Sequence, residues 1–465
     1  MKKRIIIALL CLCSCSKFFY SPVDYEVAGS SYGDNIPVEE ALLTLDRFLS
    51  ENYPSLTKSG GFGCYNNVSA YYKDIVSTKS SFVKDTIPTA YVVNFENNAG
   101  FAVLGARRKI PDVIAVVESG SINPLTLEVI NNSDSTEFIT QFFNGMDESE
   151  IDFFRNNVVV TEDSLLYSPT DEDYYVGGPA DIDELAANFI RKCVLIEDDS
   201  PNMGGRVSTG SGGGADIDHE RYATRIPLLG YSWSQGTPYN TYCKRGLDKQ
   251  KQAYTGCSTT AMSMIVAYNE FPQTLAINGT VIDYHSIKSA KYANSLDKVY
   301  QNHVALLMGS IYEYVVKSTS ENWTMITPQQ IKERMEEFGY SDVEKTSGES
   351  LNKTMVEKIS GMLLQDKPVF ISAIPKGIRN WSGGHSWVVD GAKYSPNDTY
   401  LLHMNFGWHG YSNGYYAVNY INPADAESYD DISRVDTSKN YVYTWHYRIL
   451  TYDVPTGDFK LSINL

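Results

Sequence analysis

The sequence predicts an α+β protein, and three observations predict it. In the C-terminal half, helical patterns come first and apolar, β-rich runs follow. The N-terminal half carries a helix and a hairpin pattern of its own. A Gly/Ser-rich, acidic stretch with almost nothing to bury separates the two. The chain of 465 residues is long enough for two or three domains, and 43% hydrophobic against 20% charged residues supplies a sizeable core.

The chain opens with "MKKRIIIALLCLCSCSKFFY". Lys2, Lys3 and Arg4 precede a short apolar run from Ile5 to Leu12, too short to span a bilayer and in the form of an export signal. The stretch "LCSC" has the form of a bacterial lipobox, with Cys15 as the lipidated residue, because Leu12 is bulky for the position before Cys13. A plain secretory signal is the alternative. The reading is a signal over 1–15, export from the cell, and membrane contact only through the N-terminal lipid.

A first block spans residues 34–196. "VEEALLTLDRFLSEN" is helical through Ala41, Leu42, Leu45 and Phe48. "TAYVVNFENNAGFAVLGARR" reads as two β runs around an Asn-Asn-Ala-Gly turn, and "DVIAVVESGSI" follows. The linker, residues 197–220, is exposed and open to proteolytic nicking. Its "GSGGGA" is no nucleotide loop, since no strand leads into it and no apolar helix follows. The third block, 221–465, holds all six tryptophans. In it a helix starts near Cys257, and another starts at Thr327 and Pro328 in "TPQQIKERMEEFGY". Then come the β-rich runs "KPVFISAI", "GHSWVVDGAKY", "TYLLHMNFGW", "GYYAVNYI" and "YVYTWHYRIL".

A formal net charge of −17 argues against nucleic acid or an anionic lipid surface as partner. Seven cysteines, three of them in the signal, do not make a disulfide scaffold. Bridges Cys243–Cys257 and Cys64–Cys193 stay open. There is no CxxC pair and no Cys/His cluster of zinc spacing, so neither metal nor cofactor is expected.

The chemistry gathers around "TGCSTTAMSMIVAYN". Ala261, Met264, Ile265 and Tyr268 fall at helical spacing, so Cys257 sits in the first turn of a helix with an apolar face. A thiol there feels the positive end of the helix and is favoured as the nucleophilic thiolate. A base is offered by His385 in "WSGGHSWVVDGAKY", where Gly383 and Gly384 leave the backbone bare for a substrate chain. His403 and His409 are weaker candidates. Asn405, on the next strand, is a candidate orienter of the imidazole. Gln235, in "WSQGTPYN", offers a side-chain amide that would join the Cys257 N–H in an oxyanion hole.

These stretches, in this order, resemble the streptopain-type cysteine peptidases of the papain-like superfamily, and the first block resembles that family's propeptide. The resemblance implies a papain-like catalytic domain, part helical and part antiparallel sheet, behind a smaller α+β propeptide domain. It implies a zymogen whose own propeptide blocks the cleft until a protease, itself or another, removes it. Arg191, Lys192, Arg206, Arg221 and Arg225 are basic sites in or near the activation region. Carried over residue by residue, Cys257 is the nucleophile, His385 the base, Gln235 the oxyanion donor and Asn405 the residue near the imidazole. The substrates would be proteins or peptides, with Gly383, Gly384, Phe406 and Trp408 near the cleft. One departure stands out: where the family has Trp-Gly-Trp after the Asn, this chain has Phe406-Gly407-Trp408, which keeps an apolar cover and loses an indole N–H. The competing readings are a Cys-His amidase or transamidase using the same residues, and a non-catalytic peptide-binding lipoprotein on the same fold.

Overall fold

A computed structural model describes residues 35–54, 63–72, 74–76, 82–84, 88–108, 110–125, 127, 129–130, 186–187, 189–190, 222–244, 253–318, 326–348, 351–376, 384–418 and 444–465. The signal with Cys15, the linker 197–220, Cys193, Gly383 and the basic sites Arg191, Lys192, Arg206 and Arg221 lie outside the described residues.

The N-terminal block begins with α1 (Val38–Asn52), which buries Ala41, Leu45, Phe48 and Leu49 along one stripe. Strands β1 (Tyr65–Tyr71), β2 (Asp74–Val76), β3 (Phe82–Lys84), β4 (Ala90–Phe95), β5 (Phe101–Gly105), β6 (Val113–Val117), β7 (Ser121–Ile122) and β8 (Val129–Ile130) follow. The expected hairpin is β4–β5, with Val92 opposite Val103. Its turn takes Asn97 and Asn98 through positive φ and ends at Gly100, where a Cβ would lie 2.0 Å from the Val117 carbonyl oxygen.

The C-terminal half has α2 (Cys257–Asn269), β9 (Thr274–Ile277), β10 (Thr280–Val281), α3 (Tyr284–Ile287), α4 (Lys298–Ser318), α5 (Pro328–Glu337), β11 (Ser341–Gly348) and α6 (Lys353–Leu364). Then come β12 (Val369–Lys376), β13 (His385–Tyr394), β14 (Tyr400–Asn405), β15 (Gly414–Ala417), β16 (Thr444–Asp453) and β17 (Lys460–Ile463). The start of α5 is where the sequence puts it: Thr327 caps it in a capping box with Gln330, and Pro328 occupies its first turn. The helix of Cys257 differs from the expectation of one apolar face. Every residue of α2 from Cys257 to Ala267 is buried, because β13, α4 and α5 all lie against it.

The two halves are one α+β body. A single antiparallel sheet runs β1-β4-β5-β6-β15-β14-β13-β12-β16-β11, so the seam between the blocks is a strand pairing. In that seam Tyr415 of β15 faces Val116 of β6, and Tyr416 faces Ala115. Around it, α1 lays Phe48 edge-on against Tyr415, with ring centroids 5.8 Å apart. Asp112, buried beside β6, accepts hydrogen bonds from Ser395 Oγ (2.6 Å), Thr399 Oγ1 (2.8 Å) and the Asn397 amide (3.2 Å) in the β13–β14 turn. Among the described residues no helix is long and apolar enough to cross a membrane.

Candidate active site

Cys257 opens α2 directly after Gly256, whose φ of 80° sets the chain's entry into the helix. No side chain caps this end, and no acidic residue stands in its first turn. The first amides of α2 are therefore left for an anionic group, and the thiol lies in the same positive field. Burial pushes the Cys257 thiol above its ordinary value, while hydrogen bonds from the backbone and hydroxyl groups of Ser386 and Ser258 pull the other way. Cys257 and Cys243 are both free thiols, so they are not bridged to each other.

Gln235 is fixed beside this segment. Its carbonyl accepts from the Thr255 amide at 3.1 Å, two residues before Cys257. Its side-chain Nε2 is buried and has no hydrogen-bond partner among the described residues. A buried amide donor left unpaired costs about 1–3 kcal/mol, so this N–H gains by meeting an acceptor.

His385 starts β13. Its Nε2 lies 2.8 Å from the Phe406 carbonyl oxygen. A carbonyl only accepts, so the ring proton sits on Nε2 and Nδ1 carries the lone pair. Burial pushes His385 down to about 3, against the pull of that carbonyl, so the imidazole is neutral at ordinary pH. Neighbouring strand residues take opposite faces. Ser386 faces α2, with its Oγ 2.8 Å from Ser258 Oγ. His385 instead shares a face with Trp387, their rings stacked at 5.9 Å and 9°. No hydrogen bond joins His385 to Cys257 among the described residues.

Among the described residues Asn405 makes no hydrogen bond to the imidazole. It pairs with Val388, three residues further along β13. Its amide donates to the Tyr231 carbonyl at 3.0 Å, and its Oδ1 accepts from the Gly407 amide at 3.3 Å. Asn405 thus shapes the turn that presents the Phe406 carbonyl to His385. Phe406 is wholly buried, under His385 and Trp387, and Trp408 is nearly so; Gly384 is buried as well. They line the imidazole's surroundings rather than an open wall.

A backbone carbonyl as the imidazole's partner was not legible in the sequence, and neither was the Ser258–Ser386 contact. His403, a weaker candidate for the base, has a different setting. It is buried between Asp390 (2.6 Å) on β13 and Glu118 (3.2 Å) of the N-terminal block. Burial opposes its charge, yet the two carboxylates outweigh burial and lift His403 to about 10. His409 stacks on Tyr292 at 3.9 Å, apart from this cluster.

Residues 233–416 match the Peptidase C10 family. Streptopain of Streptococcus pyogenes is 24% identical over 269 residues, 47% of this chain and 61% of its own length. The thiol protease/hemagglutinin PrtT of Porphyromonas gingivalis is 26% identical over 220 residues, 42% of this chain and 24% of its own length. The chain thus spans about three fifths of the length of the streptopains it matches. In structure it aligns with a prointerpain A fragment of Prevotella intermedia at TM-score 0.42 and 17% identity, over 83% of this chain and all of that one. It aligns with active interpain A at 0.36 and 20%, over 51% of this chain and 98% of the other. The matched segment contains Gln235, Cys257, His385 and Asn405, and over it the chain is similar to the Peptidase C10 family and to the streptopains.

Proposed function

We propose that the chain is an exported cysteine endopeptidase made as a zymogen, with residues 34–196 as its inhibitory propeptide and 221–465 as its catalytic domain. Cys257 is the nucleophile and His385 the base. Gln235 Nε2 and the Cys257 amide receive the oxyanion. The observation that carries this reading is the buried Gln235 Nε2, without a partner among the described residues and tied through Thr255 to the segment of Cys257. A substrate carbonyl that becomes an oxyanion is the acceptor it lacks.

In the reaction the Cys257 thiolate attacks the peptide carbonyl carbon. His385, having taken the thiol proton on Nδ1, gives it to the leaving amine. Water then attacks the thioester, with His385 as base, and the carboxylate product leaves with the thiol restored. In the resting chain the Phe406 carbonyl holds the Nε2 proton, and that hydrogen bond favours the imidazolium.

The covered chain supports the zymogen reading. Phe189, from the N-terminal block, meets Trp387 edge-on at 6.3 Å, and Trp387 stacks on His385. The block therefore adds to the burial that keeps His385 neutral and turned from Cys257. Cleavage in 197–220 would release it, by this enzyme or another protease. The basic, then apolar, N-terminus with Cys15 supports export and lipid anchoring.

The test uses an epoxide peptide probe of the E-64 type on the purified chain, before and after a limited tryptic nick, with the adduct located by mass spectrometry. Labelling of Cys257 only after nicking, lost in Cys257→Ala and reduced sharply in His385→Ala, is the expected result. A folded chain that labels in neither state overturns the reading.

A further inference from the structure

The two residues that follow the candidate nucleophile and base in sequence, Ser258 and Ser386, meet each other in space. Their hydroxyl oxygens lie 2.8 Å apart, and each residue is 1% exposed. Both also hydrogen-bond to Cys257 through backbone and side chain. One hydroxyl comes from the first turn of a helix and the other from the second residue of a strand. The contact exists only because β13 lies along the N-terminus of α2.

We infer that Ser258 and Ser386 are positioning residues for Cys257, a coupled hydroxyl pair that stabilises its thiolate inside a buried site. The inference rests on the reading of Cys257 as the nucleophile. The proton count supports it. Two hydroxyls bonded to each other spend one proton on that bond, which leaves one proton free to point at sulfur. A thiolate would then receive that O–H, polarised by the hydroxyl behind it, together with the Ser258 and Ser386 amides. When the sulfur is protonated, the rotors turn and one oxygen accepts the S–H instead. No heavy atom has to move, so the pair serves both ends of the proton transfer.

Burial alone would leave Cys257 a poor nucleophile, because it disfavours the anion. The titratable group that β13 brings near is His385; β12 brings none over residues 369–373, and the first turn of α2 holds no acidic residue. Neutral donors from the serines are therefore the local means of holding the charge until His385 is engaged.

The test is the pH dependence of Cys257 alkylation by iodoacetamide in the nicked chain, with each modified cysteine resolved by peptide mass spectrometry. Ser258→Ala/Ser386→Ala is expected to move the alkylation midpoint upward and to cut the rate below that midpoint about tenfold, with the plateau at high pH unchanged. Ser258→Thr, which keeps the hydroxyl, should retain the wild-type midpoint; Ser258→Val, of similar shape without it, should not. A melting curve shows whether each variant is folded. If the double variant does not fold, Ser386→Ala carries the test alone. Wild-type midpoints in folded Ala and Val variants overturn the inference. Peptide hydrolysis by nicked wild type is measured in parallel. Its absence, with Cys257 alkylated normally, sinks the nucleophile reading, while the midpoint shift reports on the serines separately.

Discussion

Glu118 Oε1, just past the end of β6, lies 3.2 Å from His403 Nε2 on β14, and so joins the N-terminal block to the sheet of the C-terminal half by a charge as well as by strand pairing. Burial favours the neutral form of Glu118, but the hydrogen bond and charge of His403, with Lys291 behind, hold it below the ordinary carboxylate value. His403 is raised, so its contribution is complete below its unfolded value of about 6.5 and is lost as pH rises toward about 10. The intact chain is expected to lose stability across that alkaline window, and Glu118→Gln to lose less. At neutral pH the same variant should be about 1.5–3 kcal/mol less stable, the scale of a hydrogen bond to a charged group. Denaturant unfolding at several pH values measures both.

His385 has the opposite sign. Its folded value, about 3, lies below the unfolded one, so the unfolded chain binds the extra proton as pH falls. Stability should drop between about pH 6.5 and 3, by at most ~1.4 kcal/mol per pH unit from this group. His385→Gln should flatten that slope. In the nicked chain, freed of Phe189, the imidazole should titrate closer to ~6.5, which NMR of the ring protons would follow.

Gln235→Ala should leave the melting temperature nearly unchanged or higher, because it removes a buried donor with no partner among the described residues. Peptide turnover should fall by roughly 10²–10³ in kcat, the scale of one lost oxyanion donor. A steady-state comparison of nicked wild type and variant decides it. An unchanged kcat would remove Gln235 from the reaction.

Gly407 carries φ +69°, and a Cβ there would stand 3.1 Å from Thr260 Cγ2 in the first turn of α2. Gly407→Ala should cost about 1–2 kcal/mol of stability. It should also lower turnover, since the same turn aims the Phe406 carbonyl at His385. Chemical unfolding and a kinetic assay read the two effects.

Much of this was legible from local pattern. The stripe Ala41, Leu45, Phe48 marks α1, Thr327-Pro328 marks the start of α5, and the Asn-Asn-Ala-Gly turn marks β4–β5. Each is decided within a few residues. The parts that were not legible depend on which strands become neighbours. Nothing in "GYYAVNYI" says that Tyr415 pairs with Val116, nearly 300 residues earlier in the chain. The hydrogen bonds of Asn405 were not legible for a related reason. A register shift between Val389 and Gly391 sets which residue stands opposite His385's strand neighbours, and sequence does not display it. The orienting group then came from a main-chain carbonyl, which every residue possesses and no motif can announce.

The seam also explains the glycine at position 414. A Cβ on Gly414 would come within 2.3 Å of the Val116 carbonyl oxygen, across the β6–β15 pairing. If the proposed cleavage releases the N-terminal block, Gly414 loses the neighbour that holds it bare. An alanine there would obstruct the β6–β15 pairing of the covered chain, so on that reading the requirement for glycine belongs to the molecule's biogenesis. Release would also uncover the peptide groups of β15, but that strand is only four residues long, too short a ledge to invite a long foreign strand.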